Sequence, residues 1–417
     1  MARKMKDSGI EWIGEIPEGW EVATIGHLFS VTAGGDAKPH LYSFVQDTEH
    51  PYPVYTNSSN PNQIYAYTSA PIFNENTITV TGRGDIGHAF YRSTKFDAII
   101  RLLVLAPKSA LDCRYYAYWI DNVSIFFTNS AAVGQLSAQQ ISPYKTCYLP
   151  LCEQHSIANH LDFYCSKIEH ILAEIQNSIQ EYKKLKQAVI TQAVTKGVRG
   201  EREMKDSGNP WFGQIPTDWK LSRVGLHFSI ILGKMLCNAP LNDTYTLEPY
   251  YCAADVHFDG VADGERKKMW FSPIEKDLYR VSVGDLLVVE GGAGAGGSAI
   301  VENQDSYTYI QNSIMIVRSK GNTDNRYLRY LLEFLVKQGY IDIVCNKATI
   351  PHFTKDKLSG VPFCLCPTGE QKEIADYLDA KCAEIDRLIA KKEQLVKELE
   401  CYKKSLIYEV VTGKREV

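Results

Sequence analysis

Residues 150–162 read Pro150-Leu151-Cys152-Glu153-Gln154-His155-Ser156-Ile157-Ala158-Asn159-His160-Leu161-Asp162, and residues 367–379 read Pro367-Thr368-Gly369-Glu370-Gln371-Lys372-Glu373-Ile374-Ala375-Asp376-Tyr377-Leu378-Asp379. The proline, the Glu-Gln pair, Ile-Ala and Leu-Asp recur at a constant offset of 217. A proline, then acidic and amide residues, then apolar residues three and four apart is the start of an amphipathic helix. Thr368 and Gln371 also have the spacing of a capping box. From Glu153 to Thr195 no glycine or proline occurs over 43 residues, about 65 Å of helix at 1.5 Å per residue.

Steps of four and three from Ile157 give Leu161, Tyr164, Ile168, Ile171, Ile175, Ser178, Tyr182, Leu185, Val189 and Gln192. The same steps from Ile374 give Leu378, Lys381, Ile385, Leu388, Lys392, Leu395, Leu399, Tyr402, Leu406 and Glu409. Two heptad seams of equal length predict a paired coiled coil, with Lys381, Lys392 and Glu409 interrupting the second. Glu181, Lys183, Lys184, Lys391, Glu393, Lys397 and Glu398 suit solvated flanks. Gly197 and Gly413 stand where the patterns stop, the place of a C-terminal glycine.

The segments ahead of the helices also repeat. Met5-Lys6-Asp7-Ser8-Gly9 returns as Met204-Lys205-Asp206-Ser207-Gly208, and Trp12, Gly14, Ile16, Pro17 and Trp20 return as Trp211, Gly213, Ile215, Pro216 and Trp219, at an offset of 199. The difference between the two offsets, 217 and 199, makes the middle of the second copy 18 residues longer. Each copy therefore has a fixed opening, a variable body and a fixed exit helix. The second helix ends Gly413-Lys414-Arg415-Glu416-Val417, and Arg3-Lys4-Met5-Lys6-Asp7 continues the pattern as Arg202-Glu203-Met204-Lys205-Asp206 does after the first. A chain cyclic in pattern implies antiparallel helices and neighbouring termini in a pseudo-twofold body. The expected fold is α+β: two mixed α/β domains with pseudo-twofold symmetry, separated by two long antiparallel helices forming a coiled coil. The boundaries fall at residues 1–150 and 198–367 for the domains and 151–197 and 368–417 for the helices.

Composition fits a globular protein. The chain has 417 residues, 45% hydrophobic and 23% charged, and a net charge of −4 that would not coat DNA unaided. Local patches or partners must supply any field for nucleic acid. Eleven cysteines without a CxxC pair indicate neither a disulfide framework nor a zinc site. The N-terminus lacks a signal-peptide core and no apolar run has the length of a membrane span, so a cytoplasmic protein with no membrane association is expected.

Within the bodies, Thr77-Ile78-Thr79-Val80-Thr81 alternates as a half-buried strand and Asp285-Leu286-Leu287-Val288-Val289-Glu290 reads as a buried one. Gly82-Arg83-Gly84-Asp85-Ile86-Gly87 and Gly292-Ala293-Gly294-Ala295-Gly296-Gly297 follow, and both satisfy GxGxxG. A dinucleotide site would need a helix next. Ala89-Phe90-Tyr91 and Ala299-Ile300-Val301 read instead as strands, so these are strand-glycine-strand turns. Either a hairpin with no ligand or a close approach of backbone to DNA phosphate accounts for them.

The first body clusters Tyr52, Tyr55, Asn57, Asn60, Asn62, Gln63, Tyr65 and Tyr67, with Lys38 and Arg83 as nearby cations. Asn and Gln match adenine, and Arg matches guanine, in the major groove. The second body offers Lys234, Arg266-Lys267-Lys268, Asn346, Lys347 and His352, with phosphate contact natural for the lysines. For any one of these side chains an ordinary solvated role stands beside the DNA role. Asn60-Pro61-Asn62 is a poor imitation of an adenine methylase motif, and neither a GxxxxGK[ST] phosphate loop nor a paired-carboxylate nuclease motif occurs. No catalytic residue, cofactor site or metal site is assigned.

Two bodies, each introduced by Trp-x-Gly-x-Ile-Pro-x-x-Trp and closed by Pro-x-x-Glu-Gln-x-x-Ile-Ala-x-x-Leu-Asp, resemble the specificity subunits of type I restriction-modification systems over nearly the whole chain. Gly284-Asp285-Leu286-Leu287-Val288 and Ala348-Thr349-Ile350-Pro351-His352-Phe353 are similar to segments of that family. The resemblance implies two target-recognition domains, each reading half of a split sequence in double-stranded DNA. It also implies helices whose length sets the gap, two docked methyltransferase subunits and two restriction subunits that translocate DNA and cut it. S-adenosylmethionine, ATP and magnesium would belong to those partners. A stand-alone methyltransferase or nuclease, and a coiled-coil adaptor without DNA contact, are the competing expectations.

Overall fold

The computed structural model describes residues 3–124, 126, 135–303, 307–345 and 351–417. The chain divides into two compact units, Met1–Gln176 with Glu393–Val417 and Asn177–Lys392. Both long helices contribute a half to each unit, whereas the sequence reading set them apart as segments of their own. The reason is packing: Ile157 and Leu161 enter one core beside Trp119 and Leu406, and Ile190 and Val194 enter another beside Trp219 and Ile374.

In the first unit the strands are β1 (Phe29–Ala33), β2 (Tyr42–Ser43), β3 (Tyr52–Tyr55), β4 (Ile64–Thr68), β5 (Thr77–Val80), β6 (Ala89–Arg92), β7 (Asp97–Ala98) and β8 (Leu103–Pro107), followed by helix α1 (Cys113–Asn122) and the long helix α2 (Leu151–Lys196). Strands β1-β8-β5-β6 form an antiparallel sheet, and β7-β3-β4-β2 a smaller one. All four residues of β5 are buried, including Thr77 and Thr79, because the sheet is covered on both sides there. Helix α1 lays Tyr115, Tyr116 and Trp119 into this core.

The second unit repeats the plan with β9 (Phe228–Leu232), β10 (Thr246–Tyr251), β11 (Lys268–Phe271), β12 (Leu286–Val289), β13 (Ser298–Ile300), β14 (Tyr309–Ile310), β15 (Ile314–Ser319), helix α3 (Asn325–Lys337) and the long helix α4 (Thr368–Val411). Its main sheet runs β9-β15-β12-β13, the same order as in the first unit, and its small sheet runs β11-β10-β14. The glycine runs lie between antiparallel partners, β5 with β6 and β12 with β13, so they are hairpin turns.

Within each unit the helix halves run antiparallel. In the second, Lys186 pairs with Asp386 at 2.7 Å and Arg199, just past α2, with Glu373 at 2.7 Å, so numbers rise on one side as they fall on the other. In the first, Lys403 pairs with Glu169 at 2.6 Å in that same register. The seam has a different phase from the one expected. Leu161, Cys165, Ile168, Ile175 and Ile179 are buried on α2, and Leu378, Cys382, Ile385 and Ile389 on α4. Tyr164, Ile171, Leu185, Leu395 and Tyr402 are instead exposed, as is Lys381, which therefore does not interrupt the packing. Counting four before three or three before four shares every second position, and small cysteines at 165 and 382 occupy the core slots that the count gave to Tyr164 and Lys381.

The expected capping box is absent: Thr368 Oγ1 donates to the Asn322 carbonyl, and Gln371 reaches elsewhere. Both helices stop as expected, with Gly197 and Gly413 in left-handed conformations. Trp20 and Trp219 are fully buried. The Trp20 indole donates to Glu153 at 2.8 Å, and Arg3 pairs with that carboxylate at 2.6 Å. Arg202 meets Glu370 beside Trp219 in the second unit. Thus each fixed opening is tied to the start of its unit's exit helix. Among the described residues, no helix is long and apolar enough to cross a membrane and no cluster of His, Cys, Asp or Glu could hold a metal ion.

Candidate nucleic-acid interface

The variable body of each unit is anchored to its long helix by one repeated polar network. Asp112 caps α1 by accepting from the Arg114 amide at 2.9 Å, and its carboxylate receives the Arg114 guanidinium at 2.6 Å. Arg114 and Tyr118 then reach Asp162 on α2, at 2.8 and 2.9 Å. In the second unit Asp324 caps α3, while Arg326 and Tyr330 both reach Asp379 on α4, each at 2.7 Å. Buried Gln154 and Gln371 accept from the amides of Asp112 and Asp324 and donate to the carbonyls of Leu149 and Cys366. The Glu-Gln and Leu-Asp pairs of the repeat are thereby explained: they hold each body on its frame.

Beyond that anchor the units diverge at equivalent ledges. In the first, Arg83 bridges Gln135 and the Leu136 amide donates to the Gly82 carbonyl at 2.8 Å. In the second, Gly291 bridges His352 and the Phe353 amide donates to the Glu290 carbonyl at 2.6 Å. The first ledge presents Arg83. The second presents His352, 61% exposed with Nδ1 3.7 Å from Glu290.

Several of the expected contact residues are committed inside the fold. The Tyr55 ring lies 3.6 Å beneath the guanidinium of buried Arg92. The Asn57 amide donates to the Ile100 carbonyl and accepts from the Gly82 amide. Lys234, with a side chain only 10% exposed, donates to Glu275 at 2.6 Å and to the Trp270 carbonyl, with Tyr245 and Phe271 beside it. Burial alone would push the Glu275 carboxyl up, but hydrogen bonds from Lys234 and Ser272 outweigh it and hold it below the ordinary value. Arg266 spans Tyr251, Asp255 and the Ala262 carbonyl. These four side chains shape the small sheets and are not presented to a ligand in the free chain.

The others lie at the surface. Arg83, Lys267, Lys268 and His352 are exposed, Lys38 is half-buried at the start of a short turn of helix, and Tyr65 stands edge-on to Tyr42 and Phe44. Asn346 and Lys347, with residues 348–350 of the family-like segment, lie outside the described residues. One surface cation escaped the sequence reading: Arg101, in a turn whose Ile-Ile-Arg-Leu sequence reads as more strand.

Comparison with known proteins bears on the whole plan. The family model described as "Type I restriction modification DNA specificity domain" matches residues 17–181 and again 217–398. A type I specificity subunit of Mycoplasma pneumoniae is 29% identical over 156 residues, which cover 36% of this chain and 46% of that protein. The MjaX specificity subunit of Methanocaldococcus jannaschii is 28% identical over 333 residues, 76% of this chain and 72% of that one. A solved structure described as the structural basis of complex assembly and conformational transition of the type I R-M system superposes with a TM-score of 0.70, covering 95% of this chain and 98% of that one at 14% identity. That likeness is one of fold.

Proposed function

This chain belongs to the type I restriction modification DNA specificity family, and from that premise we propose that it is the subunit that selects the DNA sequence on which a type I complex acts. The observation that carries the reading is the pairing of matching frames with unlike ledges. Each unit repeats one sheet order and one Arg-Tyr-Asp anchor, while the exposed side chains differ, Arg83 and Gln135 in one and His352 in the other. A single reader needs one such surface. Two different surfaces suit a target in two unlike halves.

The role is recognition without chemistry. Methyl transfer and cleavage belong to the methyltransferase and restriction subunits with which type I specificity subunits act on DNA. A frame that occurs twice suits two of each, and the cytoplasm is the compartment where such an assembly would meet DNA. Most phosphate-binding charge would come from those partners, since this chain carries a net charge of −4.

The test is an exchange. Residues 20–150 are replaced by the corresponding body of another family member, the chain is expressed with its methyltransferase subunit, and methylated sites are mapped across the host genome. One half of the methylated motif should change and the other remain. A motif unchanged by the swap would leave the chain an adaptor, and methylation by the purified chain alone would make it an enzyme.

A further inference from the structure

We propose that the turn Ile99-Ile100-Arg101-Leu102 is a base-reading element of the first unit, with Arg101 donating to a guanine edge in the major groove and Ile100 as its apolar contact. This rests on the specificity reading above and names where one half-site is read. Ile100 and Arg101 have φ of 55° and 61°. Asn76 is the one other non-glycine with positive φ among the described residues. A left-handed conformation is unfavourable for an L-residue and worst for a β-branched side chain. Such a cost persists only where neighbours enforce it.

Here they do. The Ile100 amide donates to the Gly35 carbonyl at 3.0 Å, and the Ile99 amide to the Tyr55 carbonyl at 3.0 Å. Asn57 clamps the Ile100 carbonyl with one end of its amide and Gly82 with the other. A Cβ on Gly82 would come within 2.8 Å of the Leu136 carbonyl oxygen and 3.1 Å of that of Arg101. The glycine thus admits the turn against the ledge that presents Arg83.

The ends of the turn, Ile99 and Leu102, are buried, whereas Ile100 between them remains 46% exposed. Arg101 is 55% exposed, its ion-pair contact being Asp36 at 4.0 Å, itself almost fully solvated. Arg83 has no ion pair among the described residues. Two guanidinium groups therefore leave adjoining backbone, one unpaired among the described residues and one facing only the distant, solvated Asp36, which suits a polyanion. The equivalent turn of the second unit, Gln311-Asn312-Ser313, satisfies itself: Ser313 Oγ and Gln311 Oε1 are 2.5 Å apart, and the Ala253 amide donates to Ser313 at 3.0 Å. The contrast is expected where the frame is shared and the base contacts are not.

The test compares the wild-type chain, Arg101→Ala, Arg101→Lys and Ile100→Gly, each assembled with the methyltransferase subunit. Competition binding is measured on duplexes carrying the mapped target and every single-base change in it. For Arg101→Ala the target should bind about ten- to a hundredfold more weakly, discrimination at one guanine of one half-site should be lost, and the other half-site should be unaffected. Arg101→Lys keeps the charge and should still lose the discrimination. Ile100→Gly should melt no lower than wild type yet discriminate less, which a merely structural turn would not do. Equal weakening on every sequence, or an unchanged profile, would overturn the proposal. A wild-type assembly without sequence preference would instead defeat the specificity reading, and the proposal with it.

Discussion

Asp112 shows how much a single side chain contributes here. It caps α1 and holds Arg114 and His155, both at 2.6 Å, while being nearly inaccessible to solvent. Burial alone would push its carboxyl up, yet hydrogen bonds from Arg114 and His155 hold it below the ordinary 3.8. A carboxylate depressed in the fold contributes stability that is complete above the unfolded value and is lost as pH falls through the folded one. Asp112→Asn should therefore cost about 2 kcal/mol at neutral pH. The gap to wild type should begin to narrow as pH falls to 3.8, where the unfolded carboxyl takes up its proton, and close only below the depressed folded value. Melting curves of both proteins between pH 7 and pH 3 check this, and a gap that stayed constant would remove the charge from the account. Residue type alone did not show which polar groups were already occupied. Lys234 and Arg266 have the chemistry of phosphate contacts, but Glu275 and Asp255 are distant in sequence or across a turn and claim them first. Arg101 went unnoticed for the converse reason, because a left-handed turn enforced by Asn57 and Gly35 leaves no mark on an Ile-Ile-Arg-Leu string.

At the scale of the element, the long helices were legible from uninterrupted heptads and terminal glycines, and their antiparallel sense from the cyclic joins. The phase of their seam was not. Tyr164 and Ile171 look like core residues and Cys165 like a neutral one, so apolar spacing favoured the wrong alternate position. Which side is buried depends on where the helix meets the body, and that is set by Gln154, Asp162 and the aromatic face of α1, contacts at long range. Both phases bury Ile168, and they part at Ile171. Ile168→Glu places an unpaired carboxylate in the core and should unfold the first unit or cost more than about 3 kcal/mol. Ile171→Glu, at a side chain 43% exposed, should change stability by less than about 1 kcal/mol. Chemical denaturation of the two variants separates the phases, and a loss from Ile171→Glu as large as that from Ile168→Glu would restore the seam counted from the sequence.

For the whole molecule, the repeat predicts division of labour. The frames, built on Trp20 with Glu153 and on Trp219 beside Glu370, are what the sequence states twice, while the ledges that differ are what it states once. In the proposed reading the paired helices are the ruler between half-sites, so their length and the spacer in the DNA should change together. Insertion of one heptad into both α2 and α4, at matching positions between residues 175 and 186 and between residues 385 and 396, keeps the buried stripe on its face and the antiparallel register intact. Seven residues add about 10 Å of helix, close to the rise of about three base pairs, since a helical turn of about 10 base pairs spans about 34 Å. The methylation motif of such a variant should keep both half-sites and widen its spacer by about three base pairs. Inserting in one helix alone breaks the register and should abolish methylation instead. A widened variant that still methylated the original spacing would show that the helices do not set the distance, and a change within either half-site would show that frame and reader are not separable.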